Sequence, residues 1–237
     1  SEELLERIRN TLLSRMIKRL REVNRIAAAQ GPVDLIKAYS LPNAQFKEIG
    51  LPVGQLSGNY QVSPGVSFGA YYQYEWRPLR LPASGSYFGG ADFVGQGGDL
   101  LLTPGGPSTR VADQKGKAGN VGARMKFRND DTEYGLFVAK YDDAAPNPVA
   151  NVVNGTYSQV YARNVKMIGA SFSTLVGETN VAGEISTRRG TALHPVGDLI
   201  LTTTDDGQSS LAKGNTLHAN LSSITVLPAN SLWNGAS

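Results

Sequence analysis

Three observations predict an all-β fold, an antiparallel up-and-down β-barrel or partial barrel preceded by one amphipathic helix. Apolar residues recur with period two over about seven runs of roughly ten residues each. Short and long connections between these runs alternate strictly along the chain. No stretch reaches the ~18 consecutive apolar residues of a spanning helix, which does not exclude a membrane, because β-barrels cross it with alternating strands.

The elements follow in order. Residues 2–29 read as a helix, because Leu5, Ile8, Leu12, Met16, Leu20, Val23 and Ala27 recur at steps of three or four. Ser1 is placed to cap it and Gly31-Pro32 to stop it. Arg7, Arg15, Lys18, Arg19 and Arg25 give it a basic side. The helix is expected chiefly to pack on the domain or plug a barrel, and its basic side also allows it to lie on a membrane surface.

After Gly31 the period changes to two. The clearest strand is 66–77. Val66, Phe68, Ala70, Tyr72, Tyr74 and Trp76 fall on one face, and Ser67, Gly69, Tyr71, Gln73, Glu75 and Arg77 on the other. Residues 119–128 repeat the pattern, with Val121, Ala123, Met125 and Phe127 against Asn120, Gly122, Arg124, Lys126 and Arg128. Residues 179–189 do so again, and weaker runs cover 53–62, 132–142, 165–176 and 214–227. Strands of about nine to eleven residues have the length a tilted membrane strand needs, whereas soluble strands average nearer five or six.

Ser63-Pro64-Gly65, Asn129-Asp130-Asp131 and Gly177-Glu178 form tight turns. Residues 78–118, 143–164 and 190–213 are expected as long loops. In an up-and-down sheet this puts every short turn at one end and every long loop at the other, as in outer-membrane barrels. A soluble sandwich with binding loops has the same asymmetry. The division is therefore a helix over 1–30 and an antiparallel β-domain over 31–237, a barrel or a sandwich.

Composition removes several function classes. There is no Cys, which excludes disulfide scaffolds, thiolate metal sites and Cys nucleophiles. With two His, a multi-His metal centre is not expected, and no cofactor is predicted. Residues 1–30 hold seven Lys/Arg and four Asp/Glu, and the remainder holds sixteen of each. The net charge of +3 thus belongs to the helix, and the β-domain is not a basic nucleic-acid surface.

Four stretches carry a resemblance. They are Leu41-Pro42 with Phe46-Lys47-Glu48 and Leu51-Pro52-Val53; the strand from Val66 to Trp76; Leu81-Pro82, Gly85-Ser86-Tyr87-Phe88, Asp92 and Gly97-Gly98; and Met167 to Thr174 with Val181 to Ser186. Together, over roughly residues 31–230, they resemble the middle of a longer proteobacterial outer-membrane family of unknown function, DUF1302. The resemblance implies a β-barrel in the outer membrane of a Gram-negative bacterium. It also implies a component that accompanies an inner-membrane efflux-type transporter in moving lipid or hydrophobic compounds. It carries no catalytic residues over.

The candidate site residues divide by face. Phe68, Tyr72, Tyr74, Trp76, Met125 and Phe127 are expected to face outer-membrane lipid, with Tyr74 and Trp76 in an interfacial girdle. Gln73, Glu75, Arg77, Arg124, Lys126 and Arg128 are expected to line a lumen, with Glu75 facing a basic residue on the next strand. The same charges also suit a purely structural ladder. The glycine-rich stretch 85–98 lacks the Gly-Lys-Ser/Thr ending of a phosphate loop and reads as a flexible or inward-folded loop. Asp130-Asp131, Asp142-Asp143 and Asp205-Asp206 read as turn formers. His194 and His218 allow a Ser-His-Asp triad only on paper, since there is no Gly-x-Ser-x-Gly elbow.

The functional expectation is a non-enzymatic passive channel. The alternatives are a secreted sandwich that binds a partner through its loops, and an outer-membrane hydrolase. Seven strands are odd for a bacterial barrel. An open sheet in hydrocarbon needs missing strands, a second copy or another partner on its edges.

Overall fold

The computed structural model describes residues 31–194 and 198–225. The helix expected over 1–30 and the last two residues of the run 214–227 lie outside them. The chain begins with two short helices, α1 (Leu35–Ser40) and α2 (Phe46–Ile49). It continues through β1 (Gln55–Ser63), β2 (Val66–Gln73), β3 (Leu100–Thr103), β4 (Gly106–Arg110), β5 (Asn120–Asn129) and β6 (Thr132–Tyr141). Then come β7 (Pro146–Asn151), β8 (Thr156–Tyr161), β9 (Val165–Val176), β10 (Thr179–Ala192), β11 (Ile200–Thr202), α3 (Gly207–Ser210) and β12 (Lys213–Thr225).

Seven of these strands form one sheet in the order β1-β2-β5-β6-β9-β10-β12, antiparallel at every step. They are the seven runs read from the alternation. The three tight turns join β1 to β2, β5 to β6 and β9 to β10, all at one end of the sheet. Two of the turns need left-handed backbone, which Gly177 (φ 61°) and Asp130 (φ 50°) supply.

The long connections are not bare loops. Residues 78–118 carry β3 and β4, 143–164 carry β7 and β8, and 190–213 carry β11 and α3. These five strands assemble into a second sheet, β11-β7-β8-β4-β3, in which β11–β7 and β4–β8 are parallel and the other pairs antiparallel. The fold is thus all-β, in two mostly antiparallel sheets. Among the described residues neither closes into a full barrel: β1 and β12 are the edges of the larger sheet, and β3 and β11 of the smaller one stand 9 Å apart.

The core lies where the two sheets meet. Ala139 and Tyr141 at the end of β6 and Val165 and Met167 at the start of β9 pack with Val149, Val160, Ile200 and Leu211. Fully burying one such aliphatic side chain is worth about 1.5–3 kcal/mol, so this junction holds the small sheet over the loop end of the large one. The N-terminal segment is pinned to the same end. Asp34 caps α1 by accepting from the Lys37 amide at 3.1 Å, and its buried carboxylate pairs with Arg80 at 3.2 Å.

The glycine-rich stretch 85–98 is packed against the small sheet. Arg110 donates to the Gly95 carbonyl at 2.8 Å, Gln159 donates to the Phe93 carbonyl at 3.0 Å, and the buried Tyr157 hydroxyl donates to the Gly98 carbonyl. Gly98 has backbone of Asp92 at 2.6 Å from where a Cβ would stand, so only glycine admits this approach. Asp92 itself accepts from the Gly85 amide at 3.0 Å.

Candidate functional site

The register of the large sheet sorts its residues into two faces. One face carries cross-strand rows of apolar side chains. Tyr60, Phe68, Met125, Leu136 and Ala170 stand in one row, and Gly58, Ala70, Ala123, Val138 and Ile168 in the next. The face continues through Phe172, Ile185, Leu217 and Leu221, and most of its large residues are exposed, Tyr60 to 72% and Leu221 to 73%. A shallow apolar trough of about 700 Å³ runs over the small residues Gly58, Ala70 and Ala123. Phe127 stacks on Tyr134 on this face, with ring centroids 5.0 Å apart.

Of the aromatic residues assigned to this face, Phe68, Tyr72 and Tyr74 are exposed. Trp76 is not part of the outward surface. β2 ends at Gln73, and beyond it the alternation no longer fixes direction. The Trp76 ring meets Tyr161 edge-on at 4.8 Å, and its Nε1–H donates to the Asp142 carbonyl at 3.3 Å. Burial pushes the Tyr161 hydroxyl up to about 12.

The opposite face is polar. Its rows run Arg124-Phe137-Gly169-Ser186-His218 and Lys126-Gly135-Ser171-Glu184-Asn220, with Gly122-Ala139-Met167-Arg188-Thr216 nearer the small sheet. A cavity of about 530 Å³ opens on this face, lined among others by Arg124, Lys126, Glu133, Phe137, Glu184 and Arg188. Phe137 lies over Gly169, where a Cβ would overlap its ring.

The lumen residues expected from sequence separate into two groups. Arg124 and Lys126 line the cavity. Lys126 pairs with Glu133 on β6, and Arg128 approaches the same carboxylate at 3.9 Å. Glu133 is therefore the acid that faces the basic strand. Glu75, expected in that place, instead accepts from Arg77 at 2.6 Å and from the Gly54 amide at 2.7 Å. Arg77, helped by that amide, holds the Glu75 carboxyl below the usual range. Gln73 is buried, accepting from Asn120 at 3.1 Å and donating to Gln55 at 3.3 Å.

Arg188 and Glu184 were not singled out from sequence, although 179–189 was read as a strand. The signal was present: both fall on the polar side of that alternation. Arg188 Nε is buried and has no hydrogen-bond partner among the described residues. Asp143, just beyond β6, is raised by burial, against the opposing pull of backbone amides at Ala145 and Ala144 and the charge of Arg188.

The remaining acidic pairs act in turns. Asp142 accepts from the Lys117 amide at 2.8 Å and the Asn164 amide at 2.9 Å, Asp205 accepts from Asn151 at 2.7 Å, and Asp206 caps α3. His194 accepts from the Ala212 amide at 3.2 Å, and His218 shares a hydrogen bond with Thr216 at 3.0 Å.

A family model described as "Protein of unknown function (DUF1302)" matches residues 22–236, beginning before the stretch that carried the resemblance. No curated protein and no solved structure matches the chain.

Proposed function

Because the chain belongs to the DUF1302 family, which is associated with the bacterial outer membrane, we propose that it is a passive, non-enzymatic passage component of that membrane. In this reading the large sheet is a wall of a membrane-spanning barrel with lipid on its apolar face. Small solutes or hydrophobic compounds move along its polar face, and an inner-membrane efflux-type transporter is the partner that supplies or receives them. Additional strands or a second copy cover β1 and β12, whose unpaired backbone groups would each cost several kcal/mol in hydrocarbon.

The observation that carries this reading is the segregation of the two faces of one seven-stranded sheet. Rows of large apolar side chains stand exposed on one side. Charged and small polar side chains stand on the other around a cavity. A soluble protein rarely exposes a contiguous apolar area beyond a few hundred Å², and such a face is normally covered. Lipid covers it in barrels, whose strands alternate apolar-out and polar-in.

The test is folding of the chain with and without detergent, read by circular dichroism and heat-shifted gel mobility, then by conductance in planar bilayers. Folding that requires detergent, followed by conductance steps, is the expected result. A monomer that folds in plain buffer would sink the membrane reading and favour a soluble binding domain.

A further inference from the structure

We propose that the cavity on the polar face binds amphipathic carboxylates, with the anionic head group held by Arg188, Arg124 adding positive charge from the opposite side of the cavity, and the apolar body resting on Phe137 and Met167. This names a substrate class for the passage route above and rests on that reading.

Four features converge on this chemistry. The first is Arg188 Nε, buried and without a hydrogen-bond partner among the described residues. A buried donor left unsatisfied costs about 1–3 kcal/mol, more when charged, and an arriving carboxylate oxygen recovers that loss. A guanidinium also presents its N–H groups in a fork that fits the two oxygens of a carboxylate.

The second is placement. Arg188 stands directly across from Met167 on β9, and Arg124 directly across from Phe137 on β6. The two pairs occupy adjacent rows of the same face. Two cationic positions therefore flank two apolar side chains.

The third is relief. Gly169 and Ser186 continue the Phe137 row, and the Phe137 ring lies over Gly169. Small residues leave the aromatic ring as a shelf on the cavity floor.

The fourth is charge. Arg124, Lys126 and Arg188 line the cavity against Glu133 and Glu184, a surplus of one positive charge. Lys126 is already engaged by Glu133. The volume of about 530 Å³ suits a small organic molecule, and polar and apolar side chains share the wall. An organic cation meets the wrong charge here, and a neutral hydrocarbon leaves the Arg188 Nε–H unsatisfied.

The experiment uses the whole chain folded in non-ionic detergent. Equilibrium dialysis compares 1-naphthoate with its neutral counterpart 1-naphthylmethanol. The expected result is a preference of about tenfold or more for the carboxylate. Arg188→Gln should remove most of that preference and Arg124→Gln a smaller part, while Arg188→Lys keeps part of it. Phe137→Ala should weaken both probes together. Heat-shifted mobility identifies the variants that fold. Arg124 lies on a different strand from Arg188, so one variant decides the matter if the other misfolds.

Equal affinity for the two probes, or an unchanged preference in either folded Gln variant, overturns the proposal. Bilayer conductance measured in parallel separates the two readings. Conductance without carboxylate preference removes this inference alone. Carboxylate preference without conductance removes the passage reading and leaves the binding site.

Discussion

The two sheets of this molecule solve the same solvation problem in opposite ways. In the small sheet, every residue of β7 and all but the first of β8 are buried, so protein covers both faces. In the large sheet, β2, β5 and β6 alternate between covered and exposed positions along much of their length. One sheet carries its own solvent-excluded core. The other takes half of its environment from outside the chain. Position along the sequence does not separate them, because the small sheet is drawn entirely from segments between strands of the large one. What separates them is which side chains find protein partners.

The largest test of that contrast is Tyr157→Ala. Tyr157 is 1% exposed, so its removal should cost about 3–5 kcal/mol in unfolding experiments. The loss should be similar in any detergent. Leu136→Arg tests the other sheet. If lipid covers that face, an arginine near the middle of the span costs about 2–4 kcal/mol in vesicles. If water covers it, the change should stay within about 0.5 kcal/mol.

Gly169→Val probes the polar face. Its side chain would meet the Phe137 ring and the Ile185 carbonyl at 2.9 Å, and backbone cannot move aside as a side-chain tip can. A loss of about 1–3 kcal/mol is expected, with a smaller cavity.

Two carboxylates sharpen the comparison through pH. Asp143 has its folded pKa raised by burial. Its favourable contribution is complete below the unfolded carboxylate value and is lost as pH rises through the folded value. Asp143→Asn should therefore gain on the wild type as pH rises above the unfolded carboxylate value, read by melting temperature. Glu75, lowered chiefly by Arg77, has the opposite sign. Its contribution holds above the unfolded value and is lost as pH falls through the folded one. Glu75→Gln should show the smallest effect of the series, because an ion pair this open to solvent is weak.

The large sheet was legible because period two survives wherever one face differs from the other. All seven of its strands and all three of its tight turns were readable on that basis. The small sheet was not. β7 reads Pro-Asn-Pro-Val-Ala-Asn, with two prolines, and a strand covered on both faces need not alternate. β11 has three residues, too short for any period. The site was legible in part for the same reason. Arg124 and Lys126 sit mid-strand, where direction follows from parity. Glu75 and Trp76 sit past the end of β2, where parity extrapolates into a segment that has already turned. Glu133 follows directly on the acidic turn Asn129-Asp130-Asp131, so nothing in the sequence sets it apart from a turn-forming acid.

One consequence follows from where the small sheet obtains its strands. β3 and β4 hang between β2 and β5, β7 and β8 between β6 and β9, and β11 between β10 and β12. Each group is positioned by a different pair of long strands, and its parallel contacts join the groups to one another. A one-residue slip in any of those pairs turns that strand's side chains to the opposite face and shifts the attached segment by about 3.4 Å. The small sheet then cannot assemble, and residues 143–164 lose their cover. Assembly of the small sheet therefore depends on the register of the large one. Resistance of the 143–164 segment to added protease becomes a readout of whether the wall behind it was threaded correctly.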